Sequence, residues 1–266
     1  MDAQLLVLCA LTFVINLIGA LGYAARIAGV RTRRIAVSFA LFNILVLVSR
    51  ASNSFQQPFL ANRIEENLKA GGGNLFVDFQ ILMGSATLAA IVGTLAVPTV
   101  QRIFTRAVQH FHEHRSMPKL ILHAFARGGI GYLKTAASAP SIENVKGLGK
   151  KAAIPVGTII MNVAAQAFLT VGVFASLYAG YLNPDFRLTA QGLSAVINGV
   201  ATSLLFVFID PYLSVLTDDV MDGRTTDASF RRAVVWLAGS RILGTLLAQL
   251  MLIPAAMLIA WIASAI

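Results

Sequence analysis

Six long apolar segments recur along the chain, and they constrain its fold more than any other feature. They cover residues 5–25, 35–54, 75–97, 152–181, 190–213 and 233–266. Each has at least the roughly 20 residues that an α-helix needs to cross the hydrocarbon core of a bilayer. Because lipid cannot satisfy backbone polar groups, such segments are expected to be helical. The sequence therefore predicts an all-α polytopic membrane protein with about six transmembrane helices, forming one transmembrane domain over residues 1–266.

Composition and charge agree with a protein whose main solvent is lipid. Hydrophobic residues make up 57% of the chain and charged residues 12%, against about 25% charged residues in soluble domains. The formal net charge of +9 is compatible with nucleic acid, but most cations lie between the apolar segments. Cations in that position suit membrane topology and anionic lipid. We therefore expect membrane lipids as partners and no nucleic acid.

The cations are distributed unevenly between the loops on the two sides of the membrane. Sixteen of the 21 Lys and Arg residues follow the first, third and fifth apolar segments. Cytoplasmic loops carry such an excess of Lys and Arg. The sequence therefore predicts that these loops are cytoplasmic and that both termini are extracytoplasmic.

Two connecting segments have a helical pattern of their own. In the predicted cytoplasmic loop, residues 99–151, apolar residues such as Phe104 and Val108 recur at helical spacing opposite Arg102 and Arg106. This pattern predicts a basic amphipathic helix on the cytoplasmic leaflet, which either anchors the loop to the membrane surface or takes part in function. On the opposite side, residues 58–69 are predicted to be a shorter amphipathic segment, separate from the second span, which is either a flexible lid or a connector.

Rows of polar side chains follow one face of several apolar segments, as helical spacing requires. They are Asn43, Arg50, Asn53, Ser54 and Gln57 in the second segment; Thr158, Asn162, Gln166 and Thr170 in the fourth; Gln191, Ser194, Asn198 and Thr202 in the fifth; and Arg241, Thr245 and Gln249 in the sixth. Hydrogen bonds between membrane helices, worth about 0.6 to 2 kcal/mol each, can explain a single row. Their recurrence on several segments favours a shared hydrophilic cavity.

Four charged residues lie within or beside the apolar segments. By depth, Arg50 and Asp78 are placed to meet in the outer leaflet, and Asp210 and Arg241 near the inner leaflet. Each intramembrane charge costs about 2.5 to 3.5 kcal/mol on insertion scales, so pairing or a wet cavity is expected. The pairs are either structural salt bridges or part of a binding site. Arginine is well suited to phosphate because its guanidinium offers a fixed fork of donors that stays charged.

The sequence contains no recognisable catalytic or metal-binding motif. His110, His112 and His114 lie close together near Glu113, and His110 and His114 share a helical face, but no third ligand is identifiable to join these two in a metal site. The glycine groups lack the Lys-Ser/Thr of a phosphate-binding loop, and no nucleophile elbow is present. We therefore expect no metal, no cofactor and no enzymatic activity.

Three stretches resemble a known family. They are RIAVSFALFNILVLVSRASNSFQQPFLA at residues 34–61, YAARIAGVRTRR at residues 23–34 and FIDPYLSVLTDDVMDGR at residues 208–224. These stretches resemble the Amj family, the alternate lipid II flippases of bacterial cytoplasmic membranes. The resemblance implies a transporter that moves undecaprenyl-pyrophosphate-linked disaccharide-pentapeptide, a lipid-linked peptidoglycan precursor, from the inner to the outer leaflet. Such an activity serves cell-wall synthesis and cell shape.

A polar intramembrane cavity fits that activity, because an anionic, sugar-rich headgroup needs a substitute for its hydration. The expected substrate-binding residues are Asn43, Arg50, Asn53, Gln57, Asp78, Asn162, Gln166, Asn198, Asp210 and Arg241. A cytoplasmic rim of Arg26, Arg31, Arg33 and Arg34 is expected to collect the anionic headgroup. Because six spans are few to enclose so large a headgroup, either a homodimer or a groove open to lipid is expected.

Other interpretations of the same residues remain open at this point. Asp78 and Asp210 either exchange protons during transport or serve only as salt-bridge partners. A secondary transporter or channel for a small polar solute would also use polar rows, and internal repeats would favour it. An intramembrane enzyme acting on lipid phosphates is the third possibility, and it lacks a visible nucleophile or metal site.

Overall fold

The computed structural model describes residues 2–114 and 154–266, and the chain in these ranges is helical, without a strand. The helices are α1 (Ala3–Thr32), α2 (Ile35–Lys69), α3 (Phe76–His114), α4 (Val156–Leu182), α5 (Arg187–Leu204), α6 (Asp210–Met221) and α7 (Asp227–Ala265). A 3₁₀ turn, Pro184–Phe186, precedes α5, and a π-helical segment, Leu205–Ile209, joins α5 to α6. Six stretches are long and apolar enough to cross a membrane, with Pro184–Met221 counting as one. The prediction of an all-α polytopic protein with six spans is confirmed.

The six spans form two halves that are built in the same way. In the first half α1 packs against both α2 and α3, and in the second half α4 packs against both α5 and α7. The halves meet mainly where α7 lies against α3 and where α1 and α2 approach α7 and α4. Because each half has three spans, α1 and α4 run in opposite directions. The fold is therefore a three-plus-three arrangement of the kind that many transporters have.

The two ends of the bundle differ in their residues, and we name them accordingly. The terminal face carries both chain ends: Asp2 contacts Arg63 at this face, and Ala263 packs in the same apolar cluster as Leu5. The arginine face lies at the other end, where α1 meets α2 and where α6 ends and α7 begins. Arg26 and Asp210 contact each other near this face.

Apolar side chains pack in the interior of the bundle, and other apolar side chains cover its lipid-facing exterior. Near the terminal face, the fully buried Phe79 makes edge contacts with Phe174 and Tyr178, at ring-centroid distances of 6.2 and 5.1 Å. Large apolar side chains on the outside remain exposed, among them Leu250 and Leu188 at 79% and 78%. Such a surface is expected in a bilayer, where lipid tails are as apolar as leucine.

Two helices run further than the sequence predicts, through internal prolines. Helix α2 passes Pro58 and ends at Lys69, so the predicted separate segment 58–69 is wrong. Helix α3 passes Pro98 and ends at His114. Proline costs a helix one hydrogen bond, but membrane helices tolerate it where neighbouring groups compensate.

The amphipathic pattern after Pro98 therefore belongs to the end of α3. Phe104 and Val108 are buried in a cluster with Ala25, Ala28 and Leu41 of α1 and α2, while Arg102 and Arg106 are exposed. In the described part of the predicted loop, the apolar face thus packs on protein, and a separate helix on the leaflet is not seen. The remainder of that loop, 115–151, lies outside the described residues.

Candidate functional site

The polar row of α2 lies on a side of the helix that faces away from α1. Asn43, Arg50 and Gln57 are exposed and Asn53 is half-buried. Within residues 2–114 and 154–266 no carboxylate forms an ion pair with Arg50. The α1-facing side of α2 is buried instead, and its Gln56 donates a hydrogen bond of 2.5 Å to the Thr12 hydroxyl.

A pocket of about 430 Å³ opens beside the part of this row that lies nearest the terminal face. Its polar lining comes from three helices: Ser54 and Gln57 of α2, Ser176 of α4, and Gln191 and Ser194 of α5. Pro58, Ala61, Val173 and Leu177 supply the apolar part of the wall. The two halves of the fold therefore enclose a mixed polar and apolar space.

Arg241 lies deep in the bundle, at the contact between the two halves. It is 14 residues into α7, or about 21 Å at 1.5 Å per residue. Its Nη1 donates to Oε1 of Gln166 at 2.8 Å, and its Nη2 donates to the backbone oxygen of Asn16 at 3.5 Å. Its Nε is buried and has no hydrogen-bond partner among the residues that the structure describes. None of the described carboxylates forms an ion pair with this guanidinium.

A glycine of α1 makes room for that guanidinium. A Cβ atom at Gly19 would overlap Nη2 of Arg241, whose side chain lies directly against the α1 backbone. On α7 itself, a Cβ at Gly244 would come within 2.6 Å of the Gln166 Cβ. The two glycines let α1, α4 and α7 approach closely around Arg241 and Gln166.

More polar groups continue from Arg241 toward the arginine face. Asn162 is fully buried and donates to the Ser240 hydroxyl at 2.6 Å and to the Leu237 oxygen at 3.1 Å. The Tyr23 hydroxyl donates to the same Leu237 oxygen at 3.2 Å. Together with the Arg241–Gln166 contact, these bonds form a polar network between α1, α4 and α7.

The predicted ion pair between Asp78 and Arg50 is wrong. Asp78 accepts from Arg63, at 2.7 and 2.8 Å, and not from Arg50. Arg63 also contacts Asp2 at 2.8 Å. Because α2 continues through Pro58, Arg63 reaches the level of the α3 N-terminus, while Arg50 lies about 13 residues deeper along the same helix. Hydrogen bonds from the Leu5 N–H and from Arg63 hold the pKa of Asp2 below its ordinary value of 3.8.

The predicted ion pair between Arg241 and Asp210 is wrong as well. Asp210 begins α6 near the arginine face and contacts Arg26 of α1 at 3.5 Å. Arg26 also lies over the ring of Phe39, 5.1 Å from its centroid. Helix α7 begins at Asp227, several residues before the predicted span, and this earlier start places Arg241 deeper than Asp210.

The predicted rim arginines are found together at the arginine face. Arg31 and Arg33 are exposed and Arg34 is half-buried. Arg33 has a positive φ of 54° where α1 ends, and the chain reverses there into α2. Arg26 is the member of this group that is tied to a carboxylate across the two halves.

The remaining predicted residue, Asn198, lies on α5 against α4. Its Oδ1 would be 2.8 Å from a Cβ at Gly172, and it is buried without a hydrogen-bond partner. Asn198 is one helical turn deeper than Ser194 of the pocket, just as Arg50 is one turn deeper than Ser54. The polar rows of α2 and α5 therefore extend from the pocket toward the middle of the bundle.

Within the described ranges, two ion pairs join the halves, one toward each face. Arg26–Asp210 joins α1 to α6 near the arginine face, and Glu65–Arg187 joins α2 to α5 near the terminal face at 3.6 Å. Both side chains of the second pair are more than 40% exposed. Exposed pairs of this kind contribute about 0 to 1 kcal/mol, so they can break at little cost.

Metal-binding groups are not gathered in the part of the chain that the structure describes. No cluster of three or more His, Cys, Asp or Glu side chains is found there. The side chains of His112, Glu113 and His114, which the sequence analysis considered for a metal, lie outside the described residues.

Comparison with known proteins assigns the chain to a family. Residues 11–263 match the Amj family, described as "Alternate to MurJ". The chain belongs to the Amj family. It is 36% identical over 260 residues to the protein named "Lipid II flippase Amj" of Bacillus subtilis (strain 168), covering 97% of this chain and 96% of that relative. No solved structure matches the chain.

Several residues of this Amj-family site escaped the sequence reasoning. Arg63 and Glu65 were placed outside the spans because the second span was expected to end at Ser54, and Arg187 because the fifth span was expected to begin at Ala190. Thr12 and Gln56 contact each other only because α1 and α2 pack at a particular rotation. A signal for Arg63 existed, since the apolar residues Leu60 and Ile64 continue the helical spacing beyond Pro58.

Proposed function

We propose that this Amj-family protein moves lipid II, the undecaprenyl-pyrophosphate-linked disaccharide-pentapeptide, from the inner to the outer leaflet of the bacterial cytoplasmic membrane. The observation that carries the proposal is the series of polar side chains along the contact between the two halves. It runs from the pocket near the terminal face, through the Arg241 network, to Arg26 and Asp210. The name of the Bacillus subtilis relative, "Lipid II flippase Amj", agrees with this activity.

The arginine face is the cytoplasmic face in this proposal. The positive-inside rule supports this orientation, because the loops that carry most cations begin or end at the arginine face. The terminal face, with both chain ends, is then extracytoplasmic. Lipid II would enter beside Arg31, Arg33 and Arg34, whose field attracts its pyrophosphate.

The headgroup then passes along the contact between the halves while its tail stays in lipid. Arg241 is the central contact for the pyrophosphate, because it has spare donors and none of the described carboxylates pairs with it. Arg50 and Asn43 offer polar contacts on the open side of α2. Asn162, Gln166 and Asn198 replace part of the lost hydration, and Asn53 and Gln57 continue that series toward the pocket.

The two ion pairs between the halves serve as gates in this proposal. Arg26–Asp210 closes the cytoplasmic side and Glu65–Arg187 the outer side, and each breaks when the halves rock against each other. The π-helical segment before Asp210 and Pro211 supports such movement, because π-turns and prolines bend helices. Asp78, held by Arg63, stabilises the outer ends of α2 and α3 in this scheme.

The space between α2 and α5 supports a groove that is open to lipid, with a homodimer as the other arrangement. Crosslinking in native membranes tests the dimer. A single crosslinked species of twice the mass supports it, and monomer alone removes it from the proposal.

Reconstitution with labelled lipid II tests the proposed function. Purified protein in liposomes is expected to exchange lipid II between leaflets without changing it chemically. A cleaved product would instead indicate an enzyme acting on the lipid phosphates. If the protein neither moves nor cleaves lipid II, the flippase proposal is contradicted. The three-plus-three fold would then favour a transporter for a small polar solute.

A further inference from the structure

The pocket near the terminal face differs chemically from the rest of the polar series. Its polar groups are three hydroxyls and two carboxamides, and no charged side chain is found among the described residues that line it. They come from three helices in both halves. Of the five, Gln57 is exposed and Gln191 and Ser194 are half-buried, so their donors and acceptors are within reach of a ligand.

Charged side chains lie just beyond the two ends of this pocket on its helices. Arg50 is one helical turn deeper than Ser54 on α2, or about 6 Å at 1.5 Å per residue. Toward the terminal face, Glu65 and Arg187 each lie one turn beyond a lining residue, Ala61 and Gln191 respectively, and contact each other at 3.6 Å. The pocket is therefore an uncharged compartment between a deeper cation and an outer ion pair.

An uncharged compartment of this kind is poorly suited to a phosphate and well suited to a sugar. A pyrophosphate binds best where charged donors such as arginine are available. Sugar hydroxyls and N-acetyl groups both donate and accept hydrogen bonds, as the side chains of Ser, Asn and Gln do. The apolar walls from Pro58, Val173 and Leu177 can cover the C–H faces of sugar rings. The volume of about 430 Å³ lies within the usual range for small-ligand sites, about 300 to 1,000 Å³.

We propose that this pocket is a carbohydrate subsite, which holds the disaccharide of the substrate while the pyrophosphate lies one turn deeper, beside Arg50. The inference rests on the proposed function and adds to it which part of the headgroup each position recognises. The order along α2 agrees with the chemistry of the substrate, in which the pyrophosphate links the disaccharide to the tail. The Glu65–Arg187 pair then covers the sugar end on the outer side.

Transport of two substrates by the full-length chain tests the subsite. Liposomes receive either lipid II or a polyprenyl pyrophosphate that lacks sugars. The double variant Gln57→Leu/Gln191→Leu is expected to slow lipid II exchange about tenfold or more, the scale of one to two lost hydrogen bonds, and to leave the sugar-free lipid unchanged. Asn62→Leu is the matched control, because Asn62 lies on α2 outside the pocket and donates a hydrogen bond to Glu66 of the same helix.

Protection of a thiol provides a readout that does not depend on transport. In a Cys9→Ala background, a cysteine placed at Ser194 is labelled in micelles with a thiol reagent. The soluble disaccharide of the headgroup is expected to slow labelling, and inorganic pyrophosphate is not.

The outcomes separate this inference from the proposed function. Equal slowing of both lipids by the pocket variant, or protection of the thiol by pyrophosphate in place of the disaccharide, would overturn the carbohydrate subsite while leaving the flippase intact. Wild-type protein that fails to exchange lipid II would refute the flippase, and a disaccharide that still protects the thiol would retain the sugar site.

Discussion

Replacing Arg241 and its partner together is expected to leave the protein folded and to stop transport. Arg241 makes one short hydrogen bond, to Gln166 at 2.8 Å, and a long one of 3.5 Å to the Asn16 oxygen. Its Nε is buried without a partner. A residue retained only for stability would be expected to have better-satisfied donors, so this position is where stability and function should separate.

The magnitudes favour that separation. A hydrogen bond to a charged group contributes about 1.5 to 3 kcal/mol, whereas an arginine at the centre of a membrane helix costs about 2.5 to 3.5 kcal/mol. Removing the hydrogen bond and the buried charge together therefore changes the free energy of unfolding by between a loss of about 0.5 kcal/mol and a gain of about 2 kcal/mol. Arg241→Met alone would also leave the Gln166 oxygen unpaired, at about 1 to 3 kcal/mol. The double variant Arg241→Met/Gln166→Leu avoids this second cost.

Two measurements on the double variant decide the matter. Unfolding in mixed micelles, followed by circular dichroism, is expected to show stability equal to or above that of the wild type. Leaflet exchange of lipid II by the same preparation is expected to be lost. Exchange at the wild-type rate would refute the role of Arg241 in the pathway, and a loss of stability above about 3 kcal/mol would refute the energetic reasoning.

Three further predictions concern single positions. Gly19→Val is expected to reduce lipid II exchange strongly by displacing the Arg241 guanidinium, whereas Gly84→Val, where the structure leaves open space, is the control that should retain it. Arg187→Gln is expected to raise the labelling rate of a pocket thiol by up to about fivefold, since an exposed ion pair contributes at most about 1 kcal/mol; an unchanged rate would contradict its role as a gate. Asp2→Asn is expected to lower the thermal stability at pH 7. Because the folded pKa of Asp2 is depressed, its contribution is present above its ordinary value of 3.8 and is lost as the pH falls through the lowered value. The difference from the wild type should therefore shrink in acid, and a difference independent of pH would contradict this.

The predicted helix ends and charge pairs show where sequence reasoning reached its limit. The interruption by Pro58 suggested an end to the second span, yet α2 continues to Lys69 because a proline in a packed helix is compensated by its surroundings. Because α2 continues past Pro58, Arg63 lies beside Asp78, and Arg50 lies on the open face of the helix. Helical periodicity could not have chosen between the two arginines, because both lie on α2 and the choice depends on the depth of α3.

The candidate site was predictable in its chemistry and unpredictable in its assembly. Asn162, Gln166 and Arg241 were identified as polar groups on apolar segments, and they are in contact in the structure through one network. A shared hydrophilic cavity was predicted from the polar rows, but the position of this pocket was not, since it needs five polar side chains from three helices of both halves to converge. The similar construction of the two halves was also invisible in the sequence, because packing between helices of this kind requires no shared residues.

The sequence by itself determined that the chain is a polytopic helical membrane protein, which segments cross, and on which side the cations gather. These properties are local, since transfer of a segment into lipid depends on its own residues and on the satisfaction of its own backbone. Only the tertiary structure decided which polar faces meet. The partner of a side chain depends on the rotation, depth and tilt of two helices at once, and these are set by packing across the whole bundle. Arg241 illustrates both: its presence in an apolar segment marked it from the sequence, and its place between Gly19 and Gln166 came from the fold.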